Sequence, residues 1–188
     1  MRQFALLFLA AIFPIGVQAQ AACPADVKAI PFHWVNQHQM IVGVSINHSG
    51  PYDFLLDTGT QMTVIDLRLA GDLRLKASGN ATVAGASFHG PAMYSKLDRF
   101  QVGDRVAINQ SVLVYDMKHV QADGFALHGL LGEDFLSRYD VLIDKAHSVL
   151  CIDDTGAMVG SMKGEHVSQG PSLPPVVLVA PSSSRRQP

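Results

Sequence analysis

The stretch Phe54-Leu55-Leu56-Asp57-Thr58-Gly59-Thr60-Gln61-Met62-Thr63-Val64-Ile65 decides how this chain is read. Three apolar residues lead straight into an aspartate, and a glycine follows two residues on. An aspartate at the end of an apolar strand is costly unless it is hydrogen-bonded or paired. Gly59 lets the backbone turn sharply and lets other groups come close. The segment therefore presents a carboxylate on a tight loop emerging from a core, a position that suits a reacting group. The tripeptide alone is weak evidence, since average residue usage yields it by chance in roughly one chain of this length in twenty-five. A second copy, Asp154-Thr155-Gly156, stands further along. It follows Asp153 instead of an apolar triplet and leads into Gly/Pro-rich sequence, so it reads as a chance turn after the last strand.

Working outward from Asp57, the flanking sequence reads as strands. Residues 40–47 form the first clear one. His48-Ser49-Gly50-Pro51 is turn chemistry, and residues 52–56 return as the second strand of a hairpin. Residues 62–65 are a third short apolar run, and Asp66 can cap a short helix through Leu67, Leu69, Ala70 and Leu73. Residues 77–90 are small and glycine-rich. Strands resume at 96–102 and 106–115. An apolar, glycine-punctuated run at 127–132 precedes a short helix at 133–138. A last hairpin joins 139–143 to 149–152. No internal repeat is present. The fold expected is all-β, a small closed barrel with one or two short helices.

The ends differ from this body. Arg2 precedes an apolar run of about 14 residues, shorter than the ~20 that span a bilayer as a helix. Small residues follow at Ala19, Ala21 and Ala22. This is the layout of a cleaved secretory signal over residues 1–21, which places the chain in the periplasm or outside the cell. Lipid attachment at Cys23 would want Leu or a similar residue at the position held by Gln20, which argues against it. No other window is long enough to span a membrane. Residues 155–188 are rich in Gly, Pro and Ser and read as a disordered tail. Its apolar island, residues 176–179, could be a pairing strand, but the reading preferred is an unstructured run. The folded body is then residues 25–154, one domain. The whole chain has 188 residues, 48% of them hydrophobic and 16% charged, with a net charge of -2. That balance speaks against nucleic acid as a partner.

The segment around Asp57 resembles the active-site segment of retropepsin-like aspartic proteases: an apolar triplet, Asp-Thr-Gly, then Ala, Ser or Thr and a β-branched apolar run. A second signature of that family, two apolar residues and a glycine before a short helix, is matched by Leu130-Leu131-Gly132-Glu133-Asp134-Phe135-Leu136. Residues 139–144 look like the closing strand of bacterial members. The resemblance implies a single acid-protease lobe acting as a homodimer on peptide or protein substrates, without metal or organic cofactor. Asp57 would be the catalytic residue, one from each chain. Thr58, Gly59 and Thr60 would form the active-site loop, with Thr58 bracing the partner loop. Leu130, Leu131 and Gly132 would pack beneath it. A substrate-covering flap falls by position on residues 83–90, with Gly85, Phe88 and Gly90 as its candidate residues. The strand at 149–152 is the candidate for pairing with the second copy. A catalytically inactive dimer of the same fold that binds extended peptides is the alternative.

Other chemistry is not encoded locally. The eight histidines, His33, His38, His48, His89, His119, His128, His147 and His166, show no close ligand pair of the helical metal type. Gly43-Val44-Ser45-Ile46-Asn47 fails the nucleophile-elbow pattern at its last position. Cys23 and Cys151 could pair in an oxidising compartment, within a chain or between subunits, or stay as two thiols.

Overall fold

The computed structural model describes residues 23–24, 27–84, 89–120, 125–156, 158 and 177–179. The signal segment therefore lies outside the described residues. In chain order the elements are β1 (Ala29–Val35), β2 (Gln39–Ile46), β3 (Ser49–Leu56), β4 (Val64–Asp66), α1 (Leu67–Asp72), β5 (Ala77–Ala84), β6 (His89–Val102), β7 (Arg105–Tyr115), a 3-10 turn (Met117–His119), β8 (Gly129–Leu131), α2 (Glu133–Leu136), β9 (Asp140–Asp144), β10 (Val149–Asp153) and β11 (Val177–Val179). The strands follow the order β11-β9-β10-β1-β2-β3-β8-β4-β7-β6-β5, and β2 also pairs with β6. That extra pairing closes β2, β3, β8, β4, β7 and β6 into a ring. The fold is thus the all-β closed barrel expected, with two short helices.

Two pairings are parallel and they set the site. β8 runs beside β3 with Leu55 opposite Leu130 and Leu56 opposite Leu131. β4 runs beside β7. In the core the aromatic rings of Phe54, Phe100, Phe135 and Tyr139 meet in sequence, edge-on in the first two contacts and tilted in the third, at centroid distances of 6.0, 5.3 and 5.1 Å. Edge-on contacts of this kind add to the burial of large apolar surface. Asp66 caps α1, as its position implied, by accepting a hydrogen bond from the Arg68 N–H at 3.0 Å.

Several elements depart from the sequence reading. β1 was not anticipated. Its Pro31 argues against a central strand, yet the strand changes partner beside it: residues 29–31 pair with β10 and residues 32–35 with β2. The β2–β3 turn is Asn47-His48, and Ser49, Gly50 and Pro51 already belong to β3. Asn47 and His48 take positive φ values of 47° and 70°, the arrangement of a tight hairpin turn. Asn47 is suited to it, and its Oδ1 accepts a hydrogen bond from the Arg99 N–H. Residues 77–84 of the glycine-rich segment form β5, and β6 begins at His89 instead of 96.

The far end of the sheet also differs. Cys23 and Cys151 form an intrachain disulfide across 128 residues. Val27 and Met158 pack with it in a small buried cluster. β10 is paired on both sides, with β1 and with β9, so it has no edge to offer a second copy. The outer edge of β9 is taken by β11, with Val177, Leu178 and Val179 opposite Ile143, Leu142 and Val141. These three residues are a strand, not the unstructured run preferred from composition. Among the described residues, no helix is long and apolar enough to cross a membrane.

Candidate active site

Asp57 follows the last residue of β3, where the chain leaves the barrel. The parallel register of β3 and β8 lets the Asp57 N–H donate to the Leu131 carbonyl at 3.1 Å. The carboxylate is half-buried and its two oxygens are held separately. Oδ1 accepts from the Gly59 N–H at 2.9 Å, and Oδ2 accepts from the Thr60 hydroxyl at 2.6 Å. A Cβ at Gly59 would lie 3.2 Å from Asp57 Oδ1. A side chain there would crowd the carboxylate itself. Thr58 is exposed at the tip of the loop.

The loop rests on Gly132 and α2. A Cβ on Gly132 would lie 2.8 Å from both Met62 C and Thr63 N and 2.9 Å from the Thr60 oxygen. These are all main-chain atoms that cannot swing aside, so only glycine fits beneath the loop. The N–H groups that open α2 then reach the loop directly. Glu133 N donates to the Thr60 carbonyl at 2.8 Å and Asp134 N to the Gln61 carbonyl at 3.1 Å. The structure brings Asp57, Gly59, Thr60, Leu131 and Gly132 together. Leu130 and Leu131 are fully buried beside β3 and β4.

Behind this contact lies a polar network that sequence reasoning missed. Asp134 Oδ1 accepts from the Thr63 N–H at 2.9 Å and the Thr63 hydroxyl at 2.7 Å. The Thr63 Oγ1 accepts from the Gly132 N–H at 3.2 Å. Asp134 Oδ2 accepts from the Gln110 amide at 2.6 Å, and the Gln110 oxygen accepts from Arg138 at 2.5 Å. Thr63 and Gln110 are buried, and each has its polar atoms engaged. Satisfied networks of this type fix one geometry, because breaking one bond leaves a buried group unpaired. The available signal was a glutamine at an inward-facing position of β7, between the buried Ala107 and Val112.

A cavity of about 500 Å³ opens beside the loop. Thr60, Met62 and Val64 line one side, and Val83, Tyr94 and Leu113 the other. The β5–β6 hairpin borders it, with Val83 opposite Gly90 and Ala84 opposite His89. Gly90 packs near the Tyr115 ring, whose hydroxyl donates to the His89 carbonyl at 3.4 Å. Gly85 and Phe88, two of the three candidate flap residues, lie outside the described residues. Among the described residues no group of three or more His, Cys, Asp or Glu side chains could hold a metal ion.

The second Asp-Thr-Gly copy lies where the sequence placed it, directly after β10. Its buried acid, however, is Asp153, one residue before the tripeptide. Asp153 is 1% exposed. It accepts from the Thr155 N–H, the Thr155 hydroxyl and the Met158 N–H at 2.9, 2.6 and 3.0 Å. Asp154 points outward and pairs with Arg105 at 2.6 Å.

Comparison with known proteins bears on what this arrangement is. A retropepsin-like aspartic protease from Rickettsia conorii is similar in structure at a TM-score of 0.48 and 19% identity, covering 68% of this chain and 90% of that one. EIAV protease complexed with the inhibitor HBY-793 is similar at a TM-score of 0.42 and 18% identity, covering 55% and 90%. No curated protein matches. The model of the aspartyl protease family matches residues 42–135, half of the chain, from within β2 through the Asp57 loop to Phe135 of α2. By that match, the chain belongs to the aspartyl protease family.

Proposed function

We propose that this chain is an exported aspartic endopeptidase that works as a homodimer, with Asp57 of each subunit forming the catalytic dyad. The observation that carries the reading is the position of Asp57. It is half-buried at a strand end, on a loop held from below by Gly132 and α2. Peptide hydrolysis by carboxylates needs two of them. Like charges in close contact cannot both ionise, so one keeps its proton. The ionised carboxylate takes a proton from water as the water attacks the peptide carbonyl. The protonated one donates to the carbonyl oxygen, and the pair titrates as a unit. One chain supplies one such loop among the described residues. The acid buried after β10 is bound inward by three donors and is not available as the second member.

Thr58, exposed at the loop tip, would brace the same loop of the second subunit. The cavity beside Thr60 and Val64 would take a side chain of an extended substrate, and the β5–β6 hairpin would cover it. Residues 1–21 would direct export, and the Cys23–Cys151 bridge fits an oxidising compartment.

The test is digestion of a peptide library by the wild-type chain and by Asp57→Asn. Cleavage that disappears in a folded Asp57→Asn supports the reading. Undiminished cleavage in that variant overturns it, as does a wild-type chain that cleaves nothing between acid and neutral pH.

A further inference from the structure

We infer that β11 is a built-in guard strand. By pairing with the outer edge of β9 in its own chain, it keeps a second copy of this chain from pairing there. The inference concerns regulation of the dimer proposed above and rests on that reading.

Four observations meet at this edge. First, β9 is the last strand of its sheet apart from β11. A bare edge presents unpaired N–H and C=O groups and is a template for another strand. β9 alternates buried Val141 and Ile143 with half-buried neighbours, so its inner face is fixed while its outer edge is free to pair. An antiparallel β9–β9 contact between two copies obeys two-fold symmetry. Second, β11 occupies that edge in register over three residue pairs. It belongs to the longest apolar run after β10, Val176-Val177-Leu178-Val179-Ala180.

Third, the chain leaves β10 from an anchored point. Met158 is fully buried in the cluster around the Cys23–Cys151 disulfide, and its N–H is bound by Asp153. The departing chain therefore starts beside the sheet it returns to. β11 lies one strand beyond β9, about 10 Å from β10 at the usual strand spacing. The eighteen intervening residues, 159–176, could span that several times over. A segment tethered in this way competes at an effective concentration near millimolar, above that of free subunits at micromolar levels. Fourth, three residue pairs make a short ladder that can be displaced. β9 also begins four residues after α2 ends. The guarded edge is thus close in the chain to the helix that holds the Asp57 loop.

The experiment compares the wild-type chain with Leu178→Pro. Proline removes an N–H from the middle of β11 and leaves the barrel sequence intact. Sedimentation equilibrium reads self-association, and hydrogen exchange reads protection of the β9 amides at concentrations where both proteins are monomeric. The expected result is self-association tightened at least about tenfold, with faster exchange in β9 of the monomer. A synthetic peptide of residues 175–181 should bring the dissociation constant back toward the wild-type value. Unchanged self-association overturns the inference, whatever the exchange data show. Weaker self-association also overturns it, because β11 would then be exchanged between subunits. Neither measurement needs substrate, so a chain that cleaves nothing would remove the catalytic reading and leave this result standing.

Discussion

At the end of β3, Asp57 meets Gly59 and Thr60; at the end of β10, Asp153 meets Thr155 and Met158. Both carboxylates are tied by short local hydrogen bonds from a main-chain N–H and a threonine hydroxyl. They differ in what lies around them. Asp153 is 1% exposed and has a third donor in Met158, with the Arg105 guanidinium 3.9 Å away. Its bonding capacity is spent on closing a turn. Asp57 is half-buried, each oxygen takes one bond within its own loop, and the loop borders a cavity. A second layer, running from Gly132 to Asp134, Gln110 and Arg138, stands behind Asp57. The tripeptide therefore does not by itself set the surroundings of its aspartate. At Asp57 they are set by the strand end together with Gly132 and α2, which support the loop from far along the chain.

That difference can be broken most directly by exchanging each acid for its amide. Asp57→Asn should lower the rate of peptide cleavage by about 10²–10⁴-fold, the range for loss of a positioned acid–base group. Asp154→Asn, in the other copy, should leave the rate unchanged. Equal losses in a steady-state peptide assay would erase the distinction between the two turns. The next effect is global. Cys23→Ser removes the bridge that ties the segment before β1 to β10, and should cost about 2–4 kcal/mol in urea unfolding. Cleavage by the fraction still folded should persist, since the Asp57 loop is held by hydrogen bonds to β8 and α2 and not by the disulfide.

A smaller but sharper effect is expected beneath the loop. Gly132→Ala would put a methyl group against the main chain of Met62, Thr63 and Thr60. Overpacking of this kind costs about 1–3 kcal/mol. It should also lower cleavage in the folded fraction, because the displaced atoms belong to the Asp57 loop. Gly156→Ala is the counterpart in the second turn. There a Cβ meets nothing within 4 Å, and the only penalty is the positive φ of 76°. The cost should be about 1–2 kcal/mol with no effect on cleavage. If both variants altered cleavage alike, the support assigned to Gly132 would be wrong.

The two turns also show what a sequence can disclose. Asp57 and its apolar triplet are consecutive, and Leu130-Leu131-Gly132 is a compact motif, so both are legible without a structure. The Thr63–Asp134–Gln110–Arg138 network is not. Its hydrogen bonds join residues 71, 24 and 28 positions apart, and no local pattern marks them as partners. β1 was hidden for another reason. Pro31 reads as a break, and only tertiary pairing shows that the strand changes neighbour beside it. In the second turn the tripeptide drew attention to Asp154. Burial falls one residue earlier because Asp153 is the last residue of β10 and faces inward.

That one-residue offset gives the smallest and most discriminating prediction. Asp153→Ala would take from the buried Met158 N–H the carboxylate oxygen to which it donates. An orphaned buried donor costs about 1–3 kcal/mol. Asp154→Ala removes only an ion pair to Arg105 in which the aspartate is 50% exposed. Exposed pairs of that kind are worth about 0–1 kcal/mol, because solvent and salt screen them. Arg105 also keeps its bond to the Ile152 carbonyl. Urea unfolding of the two variants at low and high salt separates the cases. The Asp153→Ala deficit should be nearly independent of salt, and the Asp154→Ala deficit should vanish as salt rises. The reverse order would mean that the tripeptide's own aspartate, and not its neighbour, closes the turn after β10. The contrast with Asp57, which does belong to its tripeptide, would then fail.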